Sequence, residues 1–420
     1  MIKTQISCAD NIEAEVLSAE QAKQFILDTM PIILEAEQVP IEKAKGRCLA
    51  ESINSPINVP AQTNSAVDGY ALRGEDIPTQ NNEQTLTIQA TVLAGQLYTT
   101  PCKPQHCIRI MTGAPMPADL DTVIMQEHCE RIQNTIRIDH QHSAGQNVRL
   151  AGEDIRADTI ILQRGKLLNP ADIGLLASLG ISEIKVTRKL RIAIASTGDE
   201  IYPLSEQPSA AGLYDSNRYS LLAALDRPDI EIINLGIIKD QESELIAQFN
   251  KTADYADIII SSGGVSVGAA DFTKAALKKS GQINFWKIAI KPGRPLAFGK
   301  IKHSIFFGLP GNPVAVLVSF YQFVLPALEK ALGINNKPIA PLIKARSSQA
   351  MRKKSGRTEI QRGIISQSES GEWQVKTTGK QGSGILSSIS AANCFIILSH
   401  ETESIAQGDW VEVQLFSSLF

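Results

Sequence analysis

"DIIISSGGVSVGAADF", residues 257–272, carries the reading of the fold. Asp257 is followed by Ile258, Ile259 and Ile260, a short unbroken apolar run of the kind a fully buried strand shows. Two serines and two glycines come next, then Val265, Ser266, Val267 and Gly268, and Asp271 opens a helix-like run. Glycines at such an exit let backbone N–H groups approach an anion, and the following helix start adds positive potential. Gly263 and Gly264, with the hydroxyls of Ser262 and Ser266 and with Gly268 closing the turn, suit a phosphate cradle.

The same pattern repeats on both sides. "KLRIAIAST" reads as a strand, "DSNRYSLLAALD" as a helix, "IEIINLGII" as a strand and "ESELIAQFNKTA" as a helix. Beyond the glycine turn, "DFTKAALKKS" is a helix, "NFWKIAIKPG" and "HSIFFGLPGNP" are strands, and "VAVLVSFYQFVLPALEKAL" closes as a helix. Apolar strands alternating with amphipathic helices predict a mostly parallel sheet covered on both faces. Ligands of such sheets bind beyond the carboxyl ends of the strands. Those ends are "STGDE", "GIIKD", "SSGGVSVG", "AIKPGRP" and "GLPGNP", all polar or rich in glycine.

Asp199, Glu200, Asp240 and Asp271 fall at these ends. Acids beside a phosphate repel it unless a cation intervenes, and Mg²⁺ takes one or two carboxylates plus phosphate oxygens. An acid at a helix start is also a common cap. Lys287, Lys291 and Arg294 supply charge for phosphate or another oxyanion. Alternation through "FWKIAIKPG" predicts Lys287, Ala289 and Lys291 on one buried strand face. No Ser/His/Asp triad and no GxxxxGK[ST] phosphate loop occurs, so positioning, electrostatics and a metal ion are expected rather than a side-chain nucleophile.

The rest of the chain frames this core. Ser18 with Gln21 predicts a capping box opening a helix to about Met30. Residues 86–140 are short, alternating and β-branched, as in a compact β domain. "NPADIGLLASLG", 169–180, has a proline at its start and a glycine at its end, as a helix does. Residues 339–420 are strand-like with many serines and glycines and predict a further β domain.

The totals bound the function. The 420 residues exceed one ordinary core and suggest roughly two to four domains. With 41 basic and 44 acidic residues the formal charge is −3, which gives no electrostatic ground for a nucleic acid or an acidic membrane as partner. The N-terminus lacks the pattern of a signal peptide, and the apolar run 314–328 reads as too short and too polar to span a bilayer. The six cysteines form no CxxC pair, so reduced thiols in a cytoplasmic protein are expected. Cys102, His106, Cys107, His128 and Cys129 lie in strand-like sequence at spacings that match no usual zinc pattern.

The motifs "NSAVDGYALR", "IRIMTGAPMP", "GQNVRLAGEDI", "STGDE", "SSGGVSVGAADFTK", "FWKIAIKPGRP", "GLPGNPVA" and "TTGKQGSGILSS" occur in that order. In this combination the chain, from about Ser18 to Trp410, resembles the molybdenum insertases (molybdopterin molybdenumtransferases), including the corresponding domain of gephyrin. The resemblance implies four domains. They are an elongated α/β segment from 1–57 and 155–186, an inserted β domain at 58–154, a molybdopterin-binding-type α/β domain at 187–338, and a C-terminal β-barrel at 339–420. It implies the last step of molybdenum cofactor synthesis, in which adenylylated molybdopterin and molybdate react with Mg²⁺ present and AMP is released.

Carried over by motif, Asp68, Thr112, Arg149, Asp154, Glu200, Asp240, Lys287, Lys291, Arg362 and Ser383 are expected to act in catalysis. Pro310, Gly311 and Pro313 are expected to join Arg294 and the glycine turn in cofactor binding, and Glu200, Asp240 and Asp271 to hold the metal. The resemblance also implies a homodimer in which a partner's domains close over the cleft, bringing the Asp68 loop and the late loops with Arg362 and Ser383. The adenylyltransferase of the preceding step and cofactor-accepting molybdoenzymes are implied as further partners. The chain departs from the family pattern at Thr63, where an acid is common, at Val67, where methionine is usual, and at Arg294, where a lysine stands. Arg294 keeps the charge but changes the donor geometry. The alternatives are molybdopterin adenylyl transfer, which uses a related α/β domain, and a nonenzymatic cofactor carrier or scaffold.

Overall fold

A computed structural model of the chain describes residues 16–79, 82–263, 279, 281–335 and 342–418. The chain forms two compact units. One comprises the described residues up to Ala50, Gly165–Asn169 and those from Ile184 onward; the other comprises Glu51–Arg164 and Pro170–Glu183.

The first unit is built on a seven-stranded sheet. Its order is Val16–Leu17, Gly281–Ile288, Pro295–Ile301, Ser304–Leu309, Ile258–Ser262, Leu190–Thr197, Ile230–Ile238. The last four run parallel to one another. Successive side chains leave a strand on opposite faces, and the isoleucines divide accordingly. Ile192, Ile194, Ile258 and Ile260 pack on one side with Ile26, Val316 and Phe320. Ala193, Ala195 and Ile259 pack on the other with Leu245, Phe249 and Phe306. Both faces are thus covered, which explains the absence of polar alternation in these strands.

The strand Pro295–Ile301 was not anticipated from the sequence. It runs antiparallel to both Gly281–Ile288 and Ser304–Leu309. Gly281–Ile288 ends before Lys291, and Ile290–Lys291 leaves this sheet to pair in parallel with Thr358–Glu359. The expectation of Lys287 and Lys291 on one buried face is therefore corrected. Alternation holds only along a single strand, and here the chain changes sheets between them. Both lysines are exposed.

The capping box forms as expected: the Gln21 amide donates to Ser18 Oγ and the Ser18 amide to Gln21 Oε1 at the start of the helix Ala19–Thr29. A continuous helical run, Pro313–Ala331, is 19 residues long and strongly apolar. By length and composition it meets the requirement for a membrane span, which corrects the expectation from 314–328. In the structure 78% of it is buried within the protein. Its middle, Phe320–Val324, is wound as a π-helix just before Pro326, and proline removes a helical donor and crowds the preceding turn.

The C-terminal region of this unit closes on itself. Thr358–Gln367 pairs with both Trp373–Thr377 and Cys394–Leu398, and Ile343–Ser347 and Trp410–Leu415 complete a five-stranded barrel. It is lined by Ala345, Ile365, Val375, Ile396 and Val413.

The second unit holds a six-stranded sheet ordered Thr122–Met125, Gly69–Leu72, His106–Ile110, Gln84–Val92, Thr135–Ile138, Glu130–Ile132. Apolar side chains again fall on two faces. Gly69 is required by close packing, since a Cβ there would stand 2.1 Å from the Ile124 carbonyl oxygen. Cys107 sits inside this sheet, and burial pushes the thiols of Cys107 and Cys129 up to about 12. The helix expected at 169–180 is Pro170–Ser178, with Gly180 at φ +73°.

Candidate active site

A cavity of about 480 Å³ opens beyond the carboxyl ends of the parallel strands. Ser196, Thr197, Gly198 and Glu200 reach it from the end of Leu190–Thr197, and Asp240 from beyond Ile230–Ile238. Ser262 and Gly263 come from the end of Ile258–Ser262, and Gly311, Asn312 and Pro313 from the link between Ser304–Leu309 and the long helix. Asp215, Ser216 and Asn217 line it at the start of the helix Ser216–Ala224, and Gly384 and Leu386 at a loop of the barrel region.

The turn after Ile258–Ser262 shows why glycine stands there. Gly263 has φ +92°, and a Cβ on it would lie 2.3 Å from the Thr197 carbonyl oxygen. The neighbouring loops are tied together by Asn217, whose Nδ2 donates to Ser262 Oγ at 2.8 Å and to the Gly311 carbonyl at 2.7 Å. Asp215 caps its helix, accepting from the Arg218 amide, and is saturated further by Ser196 Oγ at 2.8 Å and Arg218 Nε at 2.7 Å. It is 1% exposed. With its oxygens so engaged, Asp215 holds the wall rather than a ligand. Glu200 is exposed and Asp240 half-buried, and both line the same cavity.

Gly264, Ser266, Gly268 and Asp271, expected in the cradle and the metal site, lie outside the described residues. Among the described residues the cavity lining contains no lysine or arginine. Lys287, Lys291 and Arg294 are exposed elsewhere on this unit. Lys291 Nζ lies 3.2 Å from both carboxylate oxygens of Glu359, a residue 3% exposed and also 3.6 Å from Arg357 Nε. Pro310 is buried behind the lining residues Gly311 and Pro313.

Arg362 does not line the cavity: it is 0% exposed, inside the unit. Its Nη2 donates to the Gly382 carbonyl at 3.1 Å and its Nε to Ser388 Oγ at 3.0 Å, so it anchors the loop that carries Ser383. Nη1 is buried and has no partner among the described residues. Burial pulls the guanidinium down to about 10, leaving it charged at neutral pH. Ser383 accepts a 3.0 Å hydrogen bond from the Val314 amide through its carbonyl. Its loop therefore meets the cavity of its own chain, which corrects the expectation that a partner brings it.

Asp68, Thr112, Arg149 and Asp154 belong to the second unit. Asp68 Oδ1 accepts from both the amide and the hydroxyl of Thr112 at 2.7 Å. The backbone bond and then the hydroxyl bond from Thr112 hold the Asp68 carboxyl below its ordinary range. Arg149 is exposed on a two-residue strand opposite Asn64, and Asp154 is exposed nearby in sequence.

Thr197, Asp215, Asn217 and Asn312 were not singled out in the sequence. For Asp215 a signal exists, since an acid directly before an apolar-periodic run marks a helix cap. Thr197 and Asn312 fall within the strand-end stretches "STGDE" and "GLPGNP", and only for Asn217 does no signal exist.

Fold and cavity together define a strand-end ligand site on a molybdopterin-binding type of α/β domain, and the comparisons with known proteins agree. Residues 193–330 match the family described as a probable molybdopterin binding domain. Residues 17–180 match the MoeA N-terminal region (domain I and II), and 344–416 the MoeA C-terminal region (domain IV). A molybdopterin molybdenumtransferase of Haemophilus influenzae is 40% identical over 405 residues, covering 96% of this chain and 100% of that protein. Gephyrin of Dictyostelium discoideum is 32% identical over 438 residues, covering 92% of this chain and 60% of gephyrin. The crystal structure of a molybdopterin biosynthesis MoeA protein from Pyrococcus horikoshii OT3 superposes with TM-score 0.82 at 29% identity, covering 96% of this chain and 100% of that one. The chain belongs to the molybdopterin molybdenumtransferase family, a family of transferases of molybdenum cofactor biosynthesis.

Proposed function

We propose that this protein inserts molybdenum from molybdate into adenylylated molybdopterin, with release of AMP and with Mg²⁺ present. The observation that carries this reading is the strand-end cavity with a glycine turn on one side and the carboxylates of Glu200 and Asp240 on another. The donors fit the metal: Mg²⁺ takes hard oxygen ligands and uses few carboxylates when phosphate supplies the rest. Bound there, Mg²⁺ would neutralise phosphoryl charge.

The protein's own groups bind and orient the substrate. Gly263 brings the backbone close, Asn217 fixes the positions of Ser262 and Gly311, and Arg362 holds the loop of Ser383. A second region suits an oxyanion such as molybdate. Ser319 Oγ is buried without a partner among the described residues, and Gly293 approaches it so closely that a Cβ would stand 2.8 Å from it. Arg294 directly follows Gly293 in sequence, and Lys291 stands two residues before it.

The reading extends to a cytoplasmic homodimer in which the partner contributes the Asp68 loop. It also extends to exchange with the adenylyltransferase and with cofactor-accepting enzymes. The test is AMP release from adenylylated molybdopterin, with and without molybdate and Mg²⁺. Release that needs both is expected, and Glu200→Gln and Asp240→Asn should raise the Mg²⁺ concentration required. Adenylyl transfer from ATP to molybdopterin would instead identify an adenylyltransferase, and binding without AMP release a carrier. Mixing Asp68→Asn with Glu200→Gln, at a Mg²⁺ concentration at which neither is active alone, should restore part of the activity once subunits exchange. No recovery after demonstrated exchange rejects the shared site.

A further inference from the structure

Two residues that line the cavity carry buried polar atoms with no hydrogen-bond partner among the described residues. Thr197 ends its strand, lines the cavity and is 3% exposed, and its Oγ1 is buried with no hydrogen-bond partner among the described residues. Asn217, in the first turn of Ser216–Ala224, lines the same cavity, and its Oδ1 is likewise buried and unpartnered. Native proteins seldom leave such groups without a partner, because the lost hydrogen bonds to water are not replaced.

The Asn217 amide cannot be turned over to remove the difficulty. Its Nδ2 faces the Gly311 carbonyl at 2.7 Å, and a flip would oppose two acceptors. Oδ1 is therefore an acceptor awaiting a donor. An ionised phosphate has only acceptor oxygens and cannot fill that role. Thr197 Oγ1 can donate or accept. Gly263 stands against this residue so tightly that a Cβ would come 3.2 Å from Oγ1, leaving that side without room for a further protein group.

We propose that Thr197 and Asn217 are specificity-determining residues that recognise a hydrogen-bond-donating group of the bound nucleotide ester, a sugar hydroxyl or a ring amine. The inference rests on the nucleotide reading given above and assigns the phosphates to other parts of the cavity.

The test is calorimetric binding to the full chain of AMP, 2′-deoxyAMP, 3′-deoxyAMP, IMP and inorganic pyrophosphate. Wild type, Thr197→Val and Thr197→Ser are compared, with thermal unfolding of each unliganded protein. Thr197→Val should weaken AMP binding by roughly 10-fold, and Thr197→Ser should retain most of it. The unliganded valine variant should melt no lower than wild type, because an unpaired buried hydroxyl has been removed. Pyrophosphate binding should be unchanged. The analogue that lacks the recognised donor should bind wild type weakly and lose nothing more in the valine variant. A deoxy analogue in that role identifies the sugar, and IMP identifies the ring amine. Unchanged AMP affinity in Thr197→Val overturns the inference, as does an equal loss for every analogue and for pyrophosphate. If wild type binds no nucleotide, the nucleotide reading fails and the inference falls with it.

Discussion

Gly263→Ala puts the architecture of the site to a quantitative test. Gly263 has φ +92°, and the new Cβ would stand 2.3 Å from the Thr197 carbonyl oxygen and 3.2 Å from Thr197 Oγ1. Carbon and carbonyl oxygen ordinarily approach no closer than about 3.3 Å, so the backbone would have to part by about 1 Å. The obstacle is main chain at the end of a central strand and cannot swing aside as a side chain does. The left-handed conformation alone costs a non-glycine residue roughly 1–2 kcal/mol. The displacement also threatens the 3.2 Å hydrogen bond from the Gly263 amide to the Leu309 carbonyl. The whole substitution should cost about 3 kcal/mol, a fall in melting temperature of roughly 6–12 °C for a unit of this class of size.

Gly311→Ala is the internal control. It faces the same cavity, but nothing lies within 4 Å of the position its Cβ would take. Differential scanning calorimetry of both variants, alongside molybdate-dependent AMP release, decides the matter. A Gly263→Ala protein that melts and turns over as wild type does would refute the steric argument. So would a Gly311→Ala protein destabilised to the same extent.

Lys291→Met should reduce stability as well as any oxyanion affinity, because Glu359, 3% exposed, would lose its nearest cation. The lysine is 45% exposed, and solvent screening holds the expected cost to about 1–2 kcal/mol; Glu359→Gln in the same protein should recover most of it by chemical denaturation. Thr112→Val should raise the Asp68 carboxyl toward its ordinary 3.8, read by NMR titration. Because the native value is depressed, the Thr112 contact favours the fold above the ordinary value and is lost as pH falls through the native one. No change between pH 5 and 8 is therefore expected from this group, and a titration of Asp68 within that window would contradict the assignment.

Much of the site was legible in the sequence because the signals are local. Consecutive isoleucines followed by serine and glycine announce a buried strand and a turn, whatever lies elsewhere in the chain. The Ser18 and Gln21 box is a contact across three residues, and Glu200 and Asp240 stand directly past two such strands. Strand-end position in a parallel sheet then places those two acids at one cavity, on the strength of topology more than of motif.

What sequence alone could not decide was partnership between distant segments. Periodicity reports that "FWKIAIKPG" is extended but not that its two lysines enter different sheets. The Glu359 that pairs Lys291 lies 68 residues away. Composition records Arg362 as a surface-type residue, yet it is enclosed and anchors a loop by a carbonyl 20 residues on. Thr197 and Asn217 look like an ordinary strand end and an ordinary helix start. Their unpaired oxygens appear only when the surrounding backbone is in place, because an unsatisfied hydrogen bond is a property of an environment and not of a residue type.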